Sequence, residues 1–599
     1  MAEYSAPLRD MQFVIKELGG LDAIGMVPEW HEVTSDLVDA LLEQAGKFAT
    51  GVLSPLNWTG DRSGCRLEDD AVITPPGFQD AYRQFQAAGW PALSCDPEFG
   101  GQGLPHLVGH RVSEIWNGAN MSFCLGPMLT SGAVNAVVRH GTEEQKRLVL
   151  PKLVSGEWMG TMNLTEPQAG SDLSAVRARA TPVGDGRYRL QGTKIFITYG
   201  EHDWTPNIIH LVLARLPDAP EGVKGISLFL VPKFLVNADG SMGARNEVKC
   251  VSIEHKLGIH ASPTCVMAYG DKEGAVGYLV GGENRGLEHM FTMMNLARLE
   301  VGLEGIALAE RAYQKALSYA RERVQGREIG ARSGERVTII HHPDVRRMLM
   351  TMKAQVEAMR ALSTLASVAL DLSHRHPDRA ERMKQQGLLD LLTPVVKGWC
   401  TEQGIEVASL GVQVHGGMGF VEETGAAQYL RDARITTIYE GTTGIQAMDL
   451  IGRKVAAEKG MTARAVIAEM RAFDKELAGS SGHPALGEIR RALAEAVSAL
   501  SDATDWVVET YPHNARAAAA GAVPYLKLWG VVAGGWQMAR AALTAKTMLD
   551  GGAEDFDFYR AKIATARFYA EHILPHAHGF KSAVVNGSAS VLALDEAQF

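Results

Sequence analysis

Two changes of texture, near residues 160 and 285, rule out most folds for this chain. Before the first, apolar residues recur at helical spacing. Leu37, Val38, Leu41 and Leu42 form one stripe between Thr34 and Ala49, and Glu143–Leu153 opens with an acidic first turn. From about 160 to 285 the runs shorten: Arg187–Leu190 alternates, Lys194–Thr198 is β-rich, and Ile208–Leu216 and Ile226–Val231 are brief and apolar. Gly184-Asp185-Gly186, Pro217–Pro220 and Pro232 punctuate them, which predicts a small β-barrel or sandwich. Helical periodicity returns over 299–324, 344–372 and 386–412, as in a bundle. After Gly460 the chain becomes Ala-rich and helical, with breaks at Gly479–Pro484, Tyr511–Asn514 and Gly551-Gly552 and a core stripe of Ile489, Leu493, Val497 and Leu500. The expected fold is α+β and mostly helical. Its segments are an N-terminal helical domain (1–158), a middle β-barrel or sandwich domain (159–285), a C-terminal four-helix bundle (286–458) and an extra C-terminal helical domain (459–599). A chain of 599 residues is too long for one core.

Composition narrows the partners. The formal net charge of −10 argues against nucleic acid or an anionic membrane. The six cysteines are scattered without a CxxC, so neither a disulfide framework nor a metal site is expected, and a reducing cytoplasm fits. The opening MAEYSAPLRDMQFVIKEL puts acids and bases where a signal peptide needs an apolar core. Leu528–Ala539, the most apolar late stretch, is too short to span a bilayer.

Chemistry concentrates in a few stretches. Ile435–Ile438 reads as an extended run that ends at Tyr439-Glu440-Gly441. A helix start follows, with Thr443 and Gln446 at capping-box spacing and Ile445, Met448 and Ile451 at helical spacing. A carboxylate held there can act as a base, and the same residues also suit a solvated cap. Trp90–Leu104 is a glycine-rich loop that either turns the chain or lets its backbone approach a flat ligand. Met162–Asp172 offers small and hydroxyl residues to an anion or a heteroaromatic edge, or simply turns into the β-domain. Phe196 and Thr198, two apart, place an aromatic face and a hydroxyl on one side of a strand. Val412–Phe420 carries a glycine pair whose backbone could approach a phosphate, and its His415 reads as a packing residue. No GxGxxG opens a helix after a strand and no GxxxxGK[ST] is present, so any dinucleotide binds by dispersed contacts.

Together, LTEPQAGSD (164–172), KIFITYG (194–200), the MNLAR run around Arg298, RERVQGR (321–327), QVHGGMGF (413–420) and IYEGTTGIQ (438–446) resemble the acyl-CoA dehydrogenase family of flavoproteins. The resemblance covers about residues 30–455. The opening SAPLRDMQFVIKEL and the C-terminal extension are similar to a long bacterial subgroup. It implies FAD as cofactor and Glu440 as the base that removes the α-proton of an acyl-CoA thioester, the β-hydride passing to the flavin. Leu164, Thr165 and Ser171 would line the flavin, Phe196 would stack on it in place of a frequent tryptophan, and Thr198 would bond its edge. Arg323, Gln413 and Gly417 would reach the FAD of a neighbouring subunit, and Thr442 that of its own. Ser171, Asn295 and Arg298 would lie near the substrate, Asn295 replacing a frequent aspartate. Donors on the thioester oxygen, among them the Glu440 backbone N–H, must stabilise the enolate, and desolvation by the acyl chain strengthens the base. An electron-transfer flavoprotein as electron acceptor, a homodimer and a place in fatty-acid β-oxidation are further implications. The subgroup's substrates range from 3-methylmercaptopropionyl-CoA to fatty acyl-CoAs. The competing readings are an acyl-CoA oxidase that uses oxygen and a DNA-binding flavoprotein of the same fold. Against the latter, residues 460–599 hold 13 Lys/Arg and 15 Asp/Glu.

Overall fold

The computed structural model describes residues 4–331, 333–480 and 483–599. Residues 481 and 482 of the expected break at Gly479–Pro484, and the first three residues of the N-terminal reading, lie outside that set. The chain divides into two compact units. One comprises Met1–Gly46, His106–Gly118 and Val301–Phe599, the other Lys47–Pro105 and Ala119–Glu300.

The second unit contains the β-domain. Its eight-stranded sheet runs in the order Val248–Ile253, Thr264–Tyr269, Arg187–Thr198, Ala275–Val280, Ile226–Pro232, Ile208–Arg215, Met159–Asn163. Arg179–Gly184 pairs with Arg187–Thr198 along its length and with Ile208–Arg215 at Arg179↔Arg215, which closes five strands into a ring. The pairings are antiparallel except those of Ile208–Arg215 with Met159–Asn163 and with Arg179. Ile208–Arg215 and Ile226–Pro232 are buried along nearly their whole length, as their unbroken apolar runs require. Arg187–Thr198 is one strand of 12 residues where the sequence shows two runs. Gly192 carries it past its neighbour: at φ +146, a Cβ there would lie 2.9 Å from Ala178 Cβ. An apolar core that includes Leu129, Val137, Leu150, Trp158, Leu211 and Met293 joins the sheet to the helices around it.

The first unit is helical. Pro343–Arg375 and Arg379–His415 are each longer than the periodicity alone suggests, and Met461–Ala478, Pro484–Thr510, Ala522–Asp550 and Phe556–His572 form the extension. Ile489, Leu493, Val497 and Leu500 are buried as expected, and Leu528–Ala539 is buried within Ala522–Asp550. That helix approaches Arg379–His415 closely because Gly530 lacks a side chain; a Cβ would lie 2.0 Å from Trp399 Cγ.

Both ends of the chain meet at a buried charge cluster. Arg360, 1% exposed, donates to Glu114 (2.7 Å), Glu310 (2.8 Å) and Asp10. Lys562, from the extension, also bonds Asp10 and lies 3.0 Å from Glu357, which Lys353 pairs in turn. Arg111 donates to Glu114 at 2.7 Å. Each desolvated charge therefore has an opposite charge in hydrogen-bond range, the condition for burying one.

Candidate active site

In the sheet-bearing unit, five of the residues singled out in the sequence lie on adjoining pieces of backbone. Leu164 and Thr165 leave the strand Met159–Asn163, and Ile195 N–H donates to Thr165 O at 2.9 Å. Beneath them Lys194, fully buried, donates to Leu164 O (3.0 Å) and to Glu166 (2.8 Å). Glu166 also accepts from the backbone N–H groups of Arg177 (2.8 Å) and Ala178 (3.0 Å), so one carboxylate anchors both ends of the loop that carries Ser171. Burial works to raise the Glu166 carboxyl, but Lys194 and these two N–H groups outweigh it and hold it below its usual value.

Phe196 lies within a β-bulge and Thr198 just beyond it. Thr198 and Ile197 pair with Thr264 and Cys265, then the register slips, and Lys194 pairs with Met267. Two residues of this strand, Ile195 and Phe196, therefore oppose Val266 alone. Phe196 takes φ +59 and is 59% exposed, whereas Ile197 after it is buried and Ile195 before it half-buried. Bulges near active sites commonly re-aim a side chain in this way. The hydroxyls of Thr165, Ser171 and Thr198 bond nothing among the described residues. An outward aromatic ring beside uncommitted hydroxyls fits a flat heteroaromatic group with a polar edge.

The glycine-rich loop Trp90–Leu104 closes on itself. Gln102 N–H donates to Ala92 O (2.8 Å), Gly103 to Cys95 O (2.9 Å) and Leu104 to Leu93 O (3.0 Å). Its glycines serve the turn. Near the end of this unit, Arg298 is buried, donates to Asn295 Oδ1 at 3.3 Å and lies over the Phe291 ring.

In the helical unit, Glu440 occupies a strained turn at φ +53. The structure corrects the reading of what precedes it: Arg434–Thr437 is a 3-10 helix, not an extended run. Thr436, fully buried, donates its hydroxyl to Ala433 O (2.7 Å), and Arg434 donates to the Thr437 hydroxyl (2.7 Å). These local bonds override the β-branched propensity of the run. The cap also moves by one residue. Thr442, not Thr443, is the N-cap and accepts from Ile445 N–H at 3.3 Å, while Thr443 donates to Glu402 at 2.7 Å. Gln446 turns back to donate to the carbonyls of Glu440 (3.1 Å) and Gly441 (3.4 Å). Lys397, fully buried on the helix Arg379–His415, donates to Gly441 O at 2.6 Å. Gly441 sits at φ +91, where a Cβ would come within 2.7 Å of Gln446 Nε2. Tyr439 donates to Glu304; burial and that carboxylate push its phenol well above the usual range.

Arg323, Gln413 and Gly417 are exposed at the ends of two helices of this unit. Those ends are joined where Tyr319 stacks on His415, ring centroids 4.5 Å apart. His415 is buried and its Nδ1 bonds Gly411 O at 2.7 Å, so it packs as read from the sequence.

Sequence reasoning missed Lys397 and the Lys194–Glu166 pair, and it read Gln446 as a cap residue where the side chain holds the Glu440 and Gly441 carbonyls. The available signal was a charge inside an apolar run: Lys397 in TPVVKGW and Lys194 at the head of KIFIT. Such a charge is buried only with a partner.

Known proteins match the chain along nearly its whole length. Family models described as the acyl-CoA dehydrogenase N-terminal, middle and C-terminal domains match residues 38–157, 161–271 and 284–456. One described as acetyl-CoA dehydrogenase C-terminal like matches residues 466–595. The chain is 50% identical to a 3-methylmercaptopropionyl-CoA dehydrogenase of Ruegeria pomeroyi, over 98% of this chain and 99% of that one. It is 35% identical to a butyryl-CoA dehydrogenase of Syntrophomonas wolfei, over 100% and 99%. Its fold matches an acyl-CoA dehydrogenase of Bacillus anthracis solved with FAD, at a TM-score of 0.73 and 20% identity, covering 96% of this chain and 91% of that one.

Proposed function

The chain belongs to the acyl-CoA dehydrogenase family, and from that premise we propose that it oxidises an acyl-CoA thioester to the trans-2-enoyl-CoA, with Glu440 as the base. FAD is the family's cofactor and, when bound, accepts the β-hydride. The observation that supports Glu440 is its turn: a carboxylate on a strained backbone whose carbonyls are tied down by Lys397 and Gln446. Strain of this kind persists only where surrounding groups over-determine it, and it gathers at functional sites. Glu440 would take the α-proton, and its backbone N–H would bond the thioester oxygen as negative charge develops there. Phe196, Thr165, Ser171 and Thr198 would hold the flavin, and Leu164 would line it. Thr442 would bond its pyrophosphate, and Arg298 and Asn295 would face the acyl-CoA.

The substrate we propose first is 3-methylmercaptopropionyl-CoA, on the strength of the 50% identity to the Ruegeria enzyme. We place the enzyme in a reducing cytoplasm, which its six free cysteines suit, as a homodimer that passes electrons to an electron-transfer flavoprotein. The exposed Arg323, Gln413 and Gly417, beside Phe420 at 87% exposure, suit a role across a subunit interface.

The test is an anaerobic titration of the FAD-loaded protein with short, medium, long, branched, aromatic and methylthio-propionyl thioesters, followed by flavin absorption. Bleaching by the methylthio-propionyl thioester ahead of butyryl-CoA is the expected result. Bleaching by straight-chain thioesters alone would refute the substrate, and none by any thioester would refute the reaction. Peroxide formed in air at the rate of substrate loss would make the enzyme an oxidase instead.

A further inference from the structure

The C-terminal extension leaves a space where it meets the bundle. Residues 14–23 and the helices Pro343–Arg375, Arg379–His415, Met461–Ala478 and Ala522–Asp550 border a cavity of about 520 Å³ that opens to solvent, all within one compact unit. Small-ligand sites occupy roughly 300–1,000 Å³. None of the lining residues belongs to the motifs of the candidate active site.

Most of the lining is apolar, including Val14, Leu365, Val368 and Phe473. One wall is not. Trp536, Gln537 and Arg540 follow one another along a single helix face, and all three line the cavity. Gln537 is 1% exposed and Trp536 9%, yet Gln537 Nε2 and Trp536 Nε1 donate to nothing among the described residues. Arg540 donates to two neutral oxygens, Gln537 Oε1 (2.9 Å) and Leu18 O (3.0 Å). No carboxylate lies within 4 Å of it among the described residues; Glu476, which also lines the cavity, acts on it from farther away, and the lining residues Lys384 and Glu469 pair with each other at 3.1 Å. A cation short of a counter-ion and two buried N–H donors without acceptors thus share one wall of an apolar chamber. A buried orphan donor costs about 1–3 kcal/mol. A ligand with an acidic head and a hydrocarbon tail would give Arg540 a counter-ion and, with a small shift of the two side chains, each donor an acceptor.

We propose that this cavity is a second, non-catalytic binding site for a small aliphatic carboxylate, its head received by Arg540, Gln537 and Trp536 and its tail by the apolar walls. The head must be anionic to match Arg540, and the tail must be short enough for the chamber. A free acid is distinguished from the acyl-CoA itself by the absence of any bulky nucleotide.

The test is calorimetric titration of the full-length, FAD-loaded protein with octanoate, 1-octanol and octylamine. Octanoate is expected to bind saturably at one site per chain, octanol more weakly and octylamine not at all. Arg540→Gln should weaken octanoate by roughly tenfold or more, the loss of a charge-assisted bond. Gln537→Leu, which keeps shape and net charge, should weaken it less and serves if the first variant does not fold. Leu365→Trp should fill the chamber and abolish binding. The flavin spectrum and thermal midpoint report whether each variant is folded. Three results would overturn the proposal: no saturable octanoate binding, binding unchanged in both polar variants, or loss of binding when Glu440→Gln protein is first saturated with an acyl-CoA. The last would place the octanoate in the active site.

Discussion

Phe196 and Glu440 are both held at positive φ, at +59° and +53°, in different compact units, and each has a buried lysine bonded to a nearby carbonyl. Their supports differ. At Phe196 a bulge interrupts a strand that pairs on both sides of it, and Lys194 has a carboxylate partner, Glu166, anchored by two backbone N–H groups. At Glu440 the chain lies between a 3-10 segment and a six-residue helix, and two side chains, Lys397 and Gln446, hold its carbonyls. The first support is part of the sheet's own stability. The second is a local fixture around one catalytic group. A left-handed residue costs about 1–3 kcal/mol wherever it occurs, so removing the supports should have different effects: lost stability at the Lys194–Glu166 pair beside Phe196, lost turnover at the Lys397 bond beside Glu440.

The largest expected effect is on turnover. Glu440→Gln should keep fold and FAD but lose activity by roughly three orders of magnitude or more, measured with an artificial electron acceptor beside the flavin spectrum. Near-normal activity would remove Glu440 from the mechanism.

Next comes the sheet. Lys194→Met leaves Glu166 as a buried charge without its cation and should cost about 3–5 kcal/mol in denaturant unfolding. A smaller cost than that of Lys397→Met would reverse the comparison. Lys397→Met should lower kcat by roughly tenfold to a hundredfold through a lost bond of about 1.5–3 kcal/mol, with KM and bound FAD little changed. Equal losses in KM and FAD content would make its role structural.

Acid should find the same pair. Because Glu166 has a folded-state pKa below its ordinary value of 4.5, its contribution is present above that pH and is lost as pH falls further. Thermal midpoints should therefore decline more steeply below about pH 4.5 in the natural protein than in Glu166→Gln. The smallest effect is that of Phe196→Gly. Relief of the positive φ, about 1 kcal/mol, offsets the lost ring contacts, so unfolding of the apoprotein should change by no more than about 1 kcal/mol. FAD retention on gel filtration should fall, because the stacking face is gone.

The layers of this fold were legible because periodicity is a property of every residue in an element. The β-domain runs, the core stripe at Ile489–Leu500 and the helix that opens with an acidic turn at Glu143 all appear where the pattern puts them. The supports of the site were not. Lys194 meets Glu166 across 28 residues and Lys397 meets Gly441 across 44, and no local pattern announces such a pairing. The four residues Ile435–Ile438 misled for a related reason: they carry strand propensity, but hydroxyl-to-backbone bonds and burial of Thr436 decide their shape. Phe196 was read as one of a strand's alternating faces, and only the slip opposite Val266 shows that its outward aim comes from a bulge.

The Arg360 cluster also bears on the order in which the chain is made. Asp10 bonds Lys562, a residue translated 552 positions later. Until the ribosome has released nearly the whole polypeptide, Asp10 and Glu357 lack one of the cations that satisfies them in the finished protein. The sheet-bearing unit, whose segments all lie before residue 301, is complete much earlier. Domains generally fold as units during synthesis, at about 5–20 residues per second. A nascent chain of this protein thus carries a finished sheet for many seconds while the bundle that bears Glu440 awaits its last helices.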